Sequence, residues 1–470
     1  HWQIELHDSF KLHFQHADTW EAEIGEVKND WFEMRFNVDI NGKSYPLLPL
    51  VLPILENYAL ENLPEILNLH LGDYQYLTLP SEKIKPILTV LLELFSNNQL
   101  NPDGTLKLSR FNAASIADLE LHNYGLFSLS GGKKLRELAR KLHDFSGIQN
   151  VAPPKNFHAE LRPYQQHGLN WLQFLREYQF GGILADDMGL GKTIQTLAHL
   201  LLEKQSGRMT EPCLIVAPTS LMSNWRREAQ RFAPDLSVLI LQGTERKQYF
   251  EQLNDYDLVL TTYPLLPRDE EVLLNYQYHY LVLDEAQTVK NPTAIAAQLV
   301  RKLNAKHRLC LTGTPMENHL GELWAQFDFL MPNFLGSATH FKKHYRTPIE
   351  NLNDYERKTQ LVRRITPFML RRTKHAVAAE LPPKTEIIRT VALHPNQATL
   401  YETIRLSMEQ RVRFAIEEKG LARSHITILD ALLKLRQTCC DPRTLSLKVA
   451  DNIQESAKLD LLMDCLLYTS

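Results

Sequence analysis

The sequence predicts an α/β chain whose central portion is a doubly wound domain built on a parallel sheet. Three observations carry that prediction. First, between residue 160 and about 335 five apolar runs alternate with stretches of helical periodicity: GGILADD (181–187), CLIVAP (213–218), DLVLTTY (257–263), YLVLDEA (280–286) and HRLCLTGTP (307–315). Second, four of these runs stay almost wholly apolar until they end in small or polar residues, as strands buried on both faces do when functional groups sit at their carboxyl ends. Third, the periodicity changes on either side, from two residues near the start of the chain to about four near its end.

Taken in order, residues 1–80 read mostly as strand and turn. Met34, Phe36, Val38 and Ile40 alternate with Glu33, Arg35, Asn37 and Asp39, and Asn41-Gly42 then supplies the dipeptide favoured in a two-residue hairpin. Helical spacing follows over 82–96 (Ile84, Ile87, Leu88, Leu91, Leu94, Phe95) and over 133–144. The two prolines of VAPPKN (151–156) mark a boundary. Past 335 the pattern turns helical, with Leu400, Ile404, Met408 and Val412 at four-residue spacing and then Ile428, Leu429, Leu432, Leu433 and Leu435. The expected organisation is a mixed α+β accessory domain (1–150), the α/β lobe (151–335), a helical protrusion and linker (336–455) and the start of a further lobe (456–470).

Length and composition fit this division. A chain of 470 residues suits two or three domains, and 44% hydrophobic with 23% charged residues excludes a wholly disordered polypeptide. The net charge of −3 conceals a division by segment: −7 over 1–150, −3 over 151–330, +9 over 331–440 and −2 over 441–470. A polyanion would therefore meet 331–440. Five cysteines (Cys213, Cys310, Cys439, Cys440, Cys465) without CxxC spacing argue against a disulfide framework or zinc site and for a reducing, cytoplasmic setting. No apolar run reaches the roughly 18 residues of a membrane span, and the amino-terminal HWQIELHDSF lacks the features of a signal peptide. It also lacks an initiator Met, so a piece of a longer protein is expected.

The chemistry concentrates in two strand ends. DDMGLGKT (186–193) follows GGILA and precedes the helical IQTLAHLLLEK. It is close to a Walker A loop, with Asp186 where GxxxxGK[ST] has its first Gly. Asp187, Met188, Gly189 and Gly191 would form the loop, whose backbone amides face phosphate oxygens at a helix N-terminus. Lys192 would bind the β- and γ-phosphates, and Thr193 would ligate Mg²⁺. Alone, the string equally describes a Gly-containing strand–helix turn. LVLDEAQ (281–287) decides for ATP: Asp284 is placed to hold Mg²⁺ and Glu285 to polarise the attacking water, so Lys192, Asp284 and Glu285 are the expected catalytic set.

With these motifs in place, the chain strongly resembles the Swi/Snf-type ATPases, duplex-DNA translocases of helicase superfamily two, over most of 160–460. LRPYQQHGLNWL (161–172) is similar to the Q-type motif, in which Gln165 would read adenine with support from Arg162. IVAPTSLMSNWRREAQRF (215–232) and LTTYPLL (260–266) resemble the next two motifs. DEAQTVKN (284–291) resembles the extended Walker B block, with Gln287 for the commoner His. LTGTPMENHLGELWAQFDFLMP (311–332) is the most family-specific string. ITPFMLRRTKHAVAAELPPK (365–384), LLKLRQTCCDP (432–442) and ESAKLDLLMDCL (455–466) resemble the linker, the helical protrusion and the entry to the second lobe. The resemblance implies a RecA-like P-loop lobe, ATP and Mg²⁺ as cofactors, and nucleotide sensing by Gln287 with Thr312, Gly313 and Thr314. DEAQ and the paired Cys439-Cys440 point to the bacterial branch.

DNA contact is expected from Thr219, Ser220, Thr261 and Thr262 at strand ends and from Arg371 and Arg372, with Arg363, Arg364 and Lys374 nearby in the basic segment. Solvated helix faces, ion pairs and turn caps are the alternative reading of these residues. No base-reading helix is evident, so duplex binding without sequence specificity is expected. Trp225 and Trp324 read as core or lobe-interface residues and not as stacking platforms. The resemblance also implies a second RecA-like lobe beyond SAKL, whose arginines reach the γ-phosphate and are worth about three to five orders of magnitude in rate. Since the sequence stops at LLYTS, this chain is expected to bind nucleotide weakly and hydrolyse it poorly, the full-length parent being a DNA-stimulated ATP hydrolase. The rivals are a non-catalytic fragment in which 1–150 binds a protein partner, and an RNA helicase of the same superfamily. A cytoplasmic, nucleoid-associated location is expected, with no membrane partner and an open oligomeric state.

Overall fold

The computed structural model describes residues 13–57, 63–90, 101–109, 116–120, 127–144, 148–377, 387–447 and 450–467, apart from positions 18, 28–30, 73, 83, 86, 87, 89, 102, 117, 118 and 451. Two compact units divide the chain, His1–Ala379 and Glu380–Ser470. The helix expected over 82–96 is described only as far as Val90, and HWQIELHDSF, residues 378–384 of the 365–384 block and the final residues of LLYTS lie outside the described residues.

The first unit opens with β1 (His13–Gln15), β2 (Thr19–Val27), β3 (Trp31–Ile40), β4 (Lys43–Pro46), β5 (Ile66–Gly72), β6 (Gln75–Pro80), β7 (Leu106–Ser109) and β8 (Ser128–Gly131). β3 and β4 pair antiparallel with Ile40 opposite Lys43, and Asn41 and Gly42 both have positive φ, 50° and 76°. The Asn-Gly hairpin is therefore the turn the sequence specifies, because two left-handed residues match the twist of the flanking strands. Met34, Phe36, Val38 and Ile40 are all buried, which puts the alternating face on the core.

The parallel sheet follows: β9 (Gly182–Leu184), β10 (Cys213–Ala217), β11 (Val238–Ile240), β12 (Leu258–Thr262), β13 (Gln277–Asp284), β14 (Asn304–Leu311) and β15 (Met369–Leu370), in the order β11-β12-β10-β13-β14-β9-β15. Every neighbouring pair is parallel. Ile183, Leu184, Leu214, Ile215, Leu281, Val282 and Leu309 are at most 1% exposed, and burying each such side chain stabilises by about 1.5–3 kcal/mol. That explains why the runs carry no alternation. All five runs read from sequence are strands. β11 and β15 are strands that those runs do not include. Asp284 is level with Leu311, and Leu311 with Leu184. The residues after β9, β13 and β14 therefore emerge side by side at the carboxyl end of the sheet.

The lobe does not end at 335. Residues beyond it return to the sheet as β15, rooted by Phe368, which packs against Phe180 and Phe334 at ring distances of 4.9 and 5.1 Å. Trp171, fully buried, donates its Nε1–H to Pro367 O at 2.9 Å. These contacts tie the described residues of 336–377 to the first unit, which the helical periodicity of that segment does not announce. In the second unit, helices Pro395–Lys419 and His425–Cys440 follow the predicted spacing and bury Leu400 and Ile404, while Leu429, Leu432 and Leu433 are exposed. Among the described residues no helix is long and apolar enough to cross a membrane.

Candidate functional site

The loop leaving β9 turns into helix Lys192–Gln205 through Gly189 (φ 84°) and Gly191 (φ 80°). Both glycines hold the left-handed conformation that directs successive amides to one side. A Cβ on Gly191 would lie 2.6 Å from Gln165 Nε2, so the loop also needs glycine for close approach. The helix presents its N-terminus to the same side, with its partial positive charge. Lys192 is half-buried, and its ammonium donates to Asp186 O at 2.7 Å. Burial lowers its pKa from the ordinary lysine value, against the opposing pull of Glu285, Asp284, Asp186 and Asp187. Thr193 follows at the half-exposed start of the helix, while Met188 is exposed. Its side chain lies 3.3 Å from where a Cβ of Gly313 would stand, so Gly313 is the gap that admits it.

Gln165 is buried behind the loop. It accepts from the Arg162 amide at 3.0 Å and donates to Leu190 O at 3.2 Å, tying the Q-type segment to the phosphate loop.

At the end of β13, Asp284 is 6% exposed. Trp225, a core residue as expected, donates its indole N–H to Asp284 Oδ2 at 2.8 Å, and the Tyr263 hydroxyl donates to Asp284 O at 2.7 Å. Burial pushes the Asp284 pKa above the usual carboxylate range, the neighbouring Glu285 charge adds to this, and the indole donor works against it. Glu285 itself sits at φ 49°, turned out of the strand. Gln287 donates to Glu285 Oε2 at 2.7 Å and accepts from the Thr312 hydroxyl at 2.8 Å, and the Thr314 amide donates to Thr312 Oγ1 at 3.0 Å. A continuous hydrogen-bonded chain thus runs from Glu285 through Gln287 to Thr312 and Thr314. A second stitch joins the same segments: Lys290 pairs with Glu317 at 2.5 Å and with Glu322 at 3.4 Å. Burial would raise the Glu322 pKa, but donors from Asn318 and the 317–318 amides outweigh it and hold it at about 2.

Three expectations about DNA contact need correction. Thr261 and Thr262 are 0% and 3% exposed, because they complete the buried strand β12 and do not leave it. Arg364 is buried, donating to Phe334 O at 2.6 Å over the Phe334 ring, and burial lowers its pKa to about 10. Arg372 is committed inside the lobe, where it pairs with both carboxylate oxygens of Asp186, which is itself fully buried. Thr219, Ser220, Arg363, Arg371 and Lys374 are exposed. Asp186 is therefore no defect in the loop; its carboxylate anchors an arginine 186 residues later, a partnership without any local signal.

Glycines for close approach, a lysine among carboxylates, a hydroxyl opening the helix and an Asp–Glu pair at a nearby strand end fit a nucleotide triphosphate with its magnesium. Fold and site together define a P-loop lobe of RecA-like architecture. The chain belongs to the SNF2-related family, the family described as SNF2-related domain matching residues 164–444. A relative in Bacillus subtilis (strain 168), whose name reads "Putative ATP-dependent helicase/translocase YwqA", is 44% identical over 321 residues, 67% of this chain and 34% of that protein. The TATA-binding protein-associated factor MOT1 of Saccharomyces cerevisiae is 36% identical over 331 residues, 65% of this chain and 18% of that protein. Among solved structures, the Sulfolobus solfataricus SWI2/SNF2 ATPase core in complex with dsDNA is 38% identical with a TM-score of 0.49, covering 68% of this chain and 66% of that one. The chain spans about a third of the length of the bacterial relatives it matches.

Proposed function

We propose that the protein carrying this chain is an ATP-dependent translocase or remodeller of double-stranded DNA, and that this chain contributes its nucleotide-binding lobe. The observation that carries the reading is the hydrogen-bonded chain Glu285–Gln287–Thr312–Thr314 beside the phosphate loop. It links a group suited to orienting water to the string most specific to the family, as a motor that couples hydrolysis to movement requires.

In this reading Lys192 and the amides of 187–191 bind the phosphates, Thr193 and Asp284 hold Mg²⁺, Glu285 orients the attacking water, and Gln165 with Arg162 is proposed for the base, for which Gln165 would have to exchange its bond to Leu190 O. Bound Mg²⁺ would supply charge neutralisation on the phosphoryl oxygens. Thr219, Ser220 and Arg371 are proposed for the DNA backbone, with Arg363 and Lys374 on the same basic stretch. Backbone contact through hydroxyls and cations carries no base readout, so binding should be salt-sensitive and sequence-independent. The accessory region 1–150, a cytoplasmic and nucleoid-associated location and a protein partner for that region belong to the same proposal.

Steady-state ATP hydrolysis by the full-length protein, compared across duplex DNA, single-stranded DNA and RNA, tests it. Duplex DNA should stimulate most. Stimulation by RNA alone would assign the protein to the RNA helicases instead, and no turnover under any condition would reduce the lobe to a scaffold.

A further inference from the structure

We infer that Arg372 is a positioning residue for the phosphate loop, and that the strap carrying it, residues 369–374, sets nucleotide affinity. This rests on the reading of 186–193 as the phosphate loop.

The strap seats on β9 and the loop at alternate residues, Leu370, Arg372 and Lys374. Met369 and Leu370 extend the sheet beside Ile183 and Leu184, and the Ala185 amide donates to Leu370 O at 2.7 Å. The Asp187 amide donates to Arg372 O at 3.0 Å. In return the Arg372 amide donates to Asp186 Oδ1 at 3.1 Å, and the Lys374 amide to Asp187 Oδ2 at 3.0 Å. The guanidinium then reaches both ends of the loop. It pairs with Asp186 at the start, and it donates to Gln195 Oε1 at 2.8 Å, whose Nε2 donates to Gly191 O at 3.1 Å at the end. Its remaining nitrogen donates to Tyr164 O, and it lies 5.3 Å from the Tyr164 ring, beside the Q-type glutamine.

The main-chain carbonyl of Asp186 meanwhile accepts from Lys192. One residue therefore carries the phosphate-binding lysine on its carbonyl and the strap on its carboxylate. Asp186 and Gln195 are 0% exposed, so this is a dry bidentate ion pair whose planar fork fixes direction as well as distance. A glycine in place of Asp186 would leave the loop without this anchor.

The test separates positioning from mere support. Asp186→Asn and Arg372→Gln each leave one buried charge uncompensated and should lower the melting temperature. The double variant removes both charges and should regain much of that loss. Affinity for Mg·ADP carrying a methylanthraniloyl fluorophore should nevertheless stay weakened roughly 10- to 100-fold in the double variant, because loop geometry is still undefined. By linkage, Mg·ADP should also slow hydrogen exchange at the Arg372 and Lys374 amides of the wild-type chain. A stable double variant with wild-type affinity, or exchange at those amides unmoved by nucleotide, overturns the inference. A folded wild-type chain that binds no Mg·ADP overturns it differently, since the phosphate-loop reading itself then fails in the wild-type arm.

Discussion

Lys192→Ala is expected to remove nucleotide binding, raising the dissociation constant by about two to four orders of magnitude. The ammonium is half-buried, held by Asp186 O and within the electrostatic reach of Glu285, Asp284, Asp186 and Asp187. Of these carboxylates only Asp186 is matched by an arginine. A triphosphate arriving there without Lys192 meets like charge. Charge-assisted hydrogen bonds are worth about 1.5–3 kcal/mol each, and losing two of them, at about 1.4 kcal/mol per tenfold, gives the range stated. Fold stability should change little, because Lys192 gives up only its bond to Asp186 O. Isothermal titration with a non-hydrolysable ATP analogue reads this directly. Unchanged affinity would refute the assigned phosphate loop.

Glu285→Gln should do the opposite: binding within a few-fold of wild type, turnover down by about two to four orders of magnitude. Glutamine keeps the shape and can still accept from Gln287 Nε2, which now bonds Glu285 Oε2 at 2.7 Å. It cannot take a proton or hold the negative charge that orients water. Single-turnover hydrolysis by the full-length protein, beside the same titration, distinguishes the two variants. Equal turnover in the glutamine variant would remove Glu285 from the catalytic set.

Much of this site was legible because its chemistry is local in sequence. A glycine-rich turn, a lysine and a hydroxyl fit within eight residues, and an Asp–Glu pair caps an unmistakably apolar strand. The hairpin at Asn41-Gly42 was legible for the same reason. What could not be read was contact between distant residues. Arg372 looked like part of a DNA-binding basic run, yet its partner Asp186 stands 186 residues earlier. Arg364 belongs to the same run, but the aromatic wall of Phe334 takes it inside. Thr261 and Thr262 were misplaced by a different route. Hydroxyls at a strand end suggest a surface, and only the register with β10 shows that the strand continues through them. Charge sums over a segment report composition, and burial decides which of those charges face solvent.

In the proposed function, ATP turnover at this lobe drives movement along duplex DNA, and the two strands of that duplex should stay paired. Displacement of a third strand from a triplex by the full-length protein with ATP measures such movement. The third strand should be released while the underlying duplex stays paired, and Glu285→Gln should release none. Duplex strands separating, or ATP being hydrolysed with the third strand retained, would contradict the proposed function.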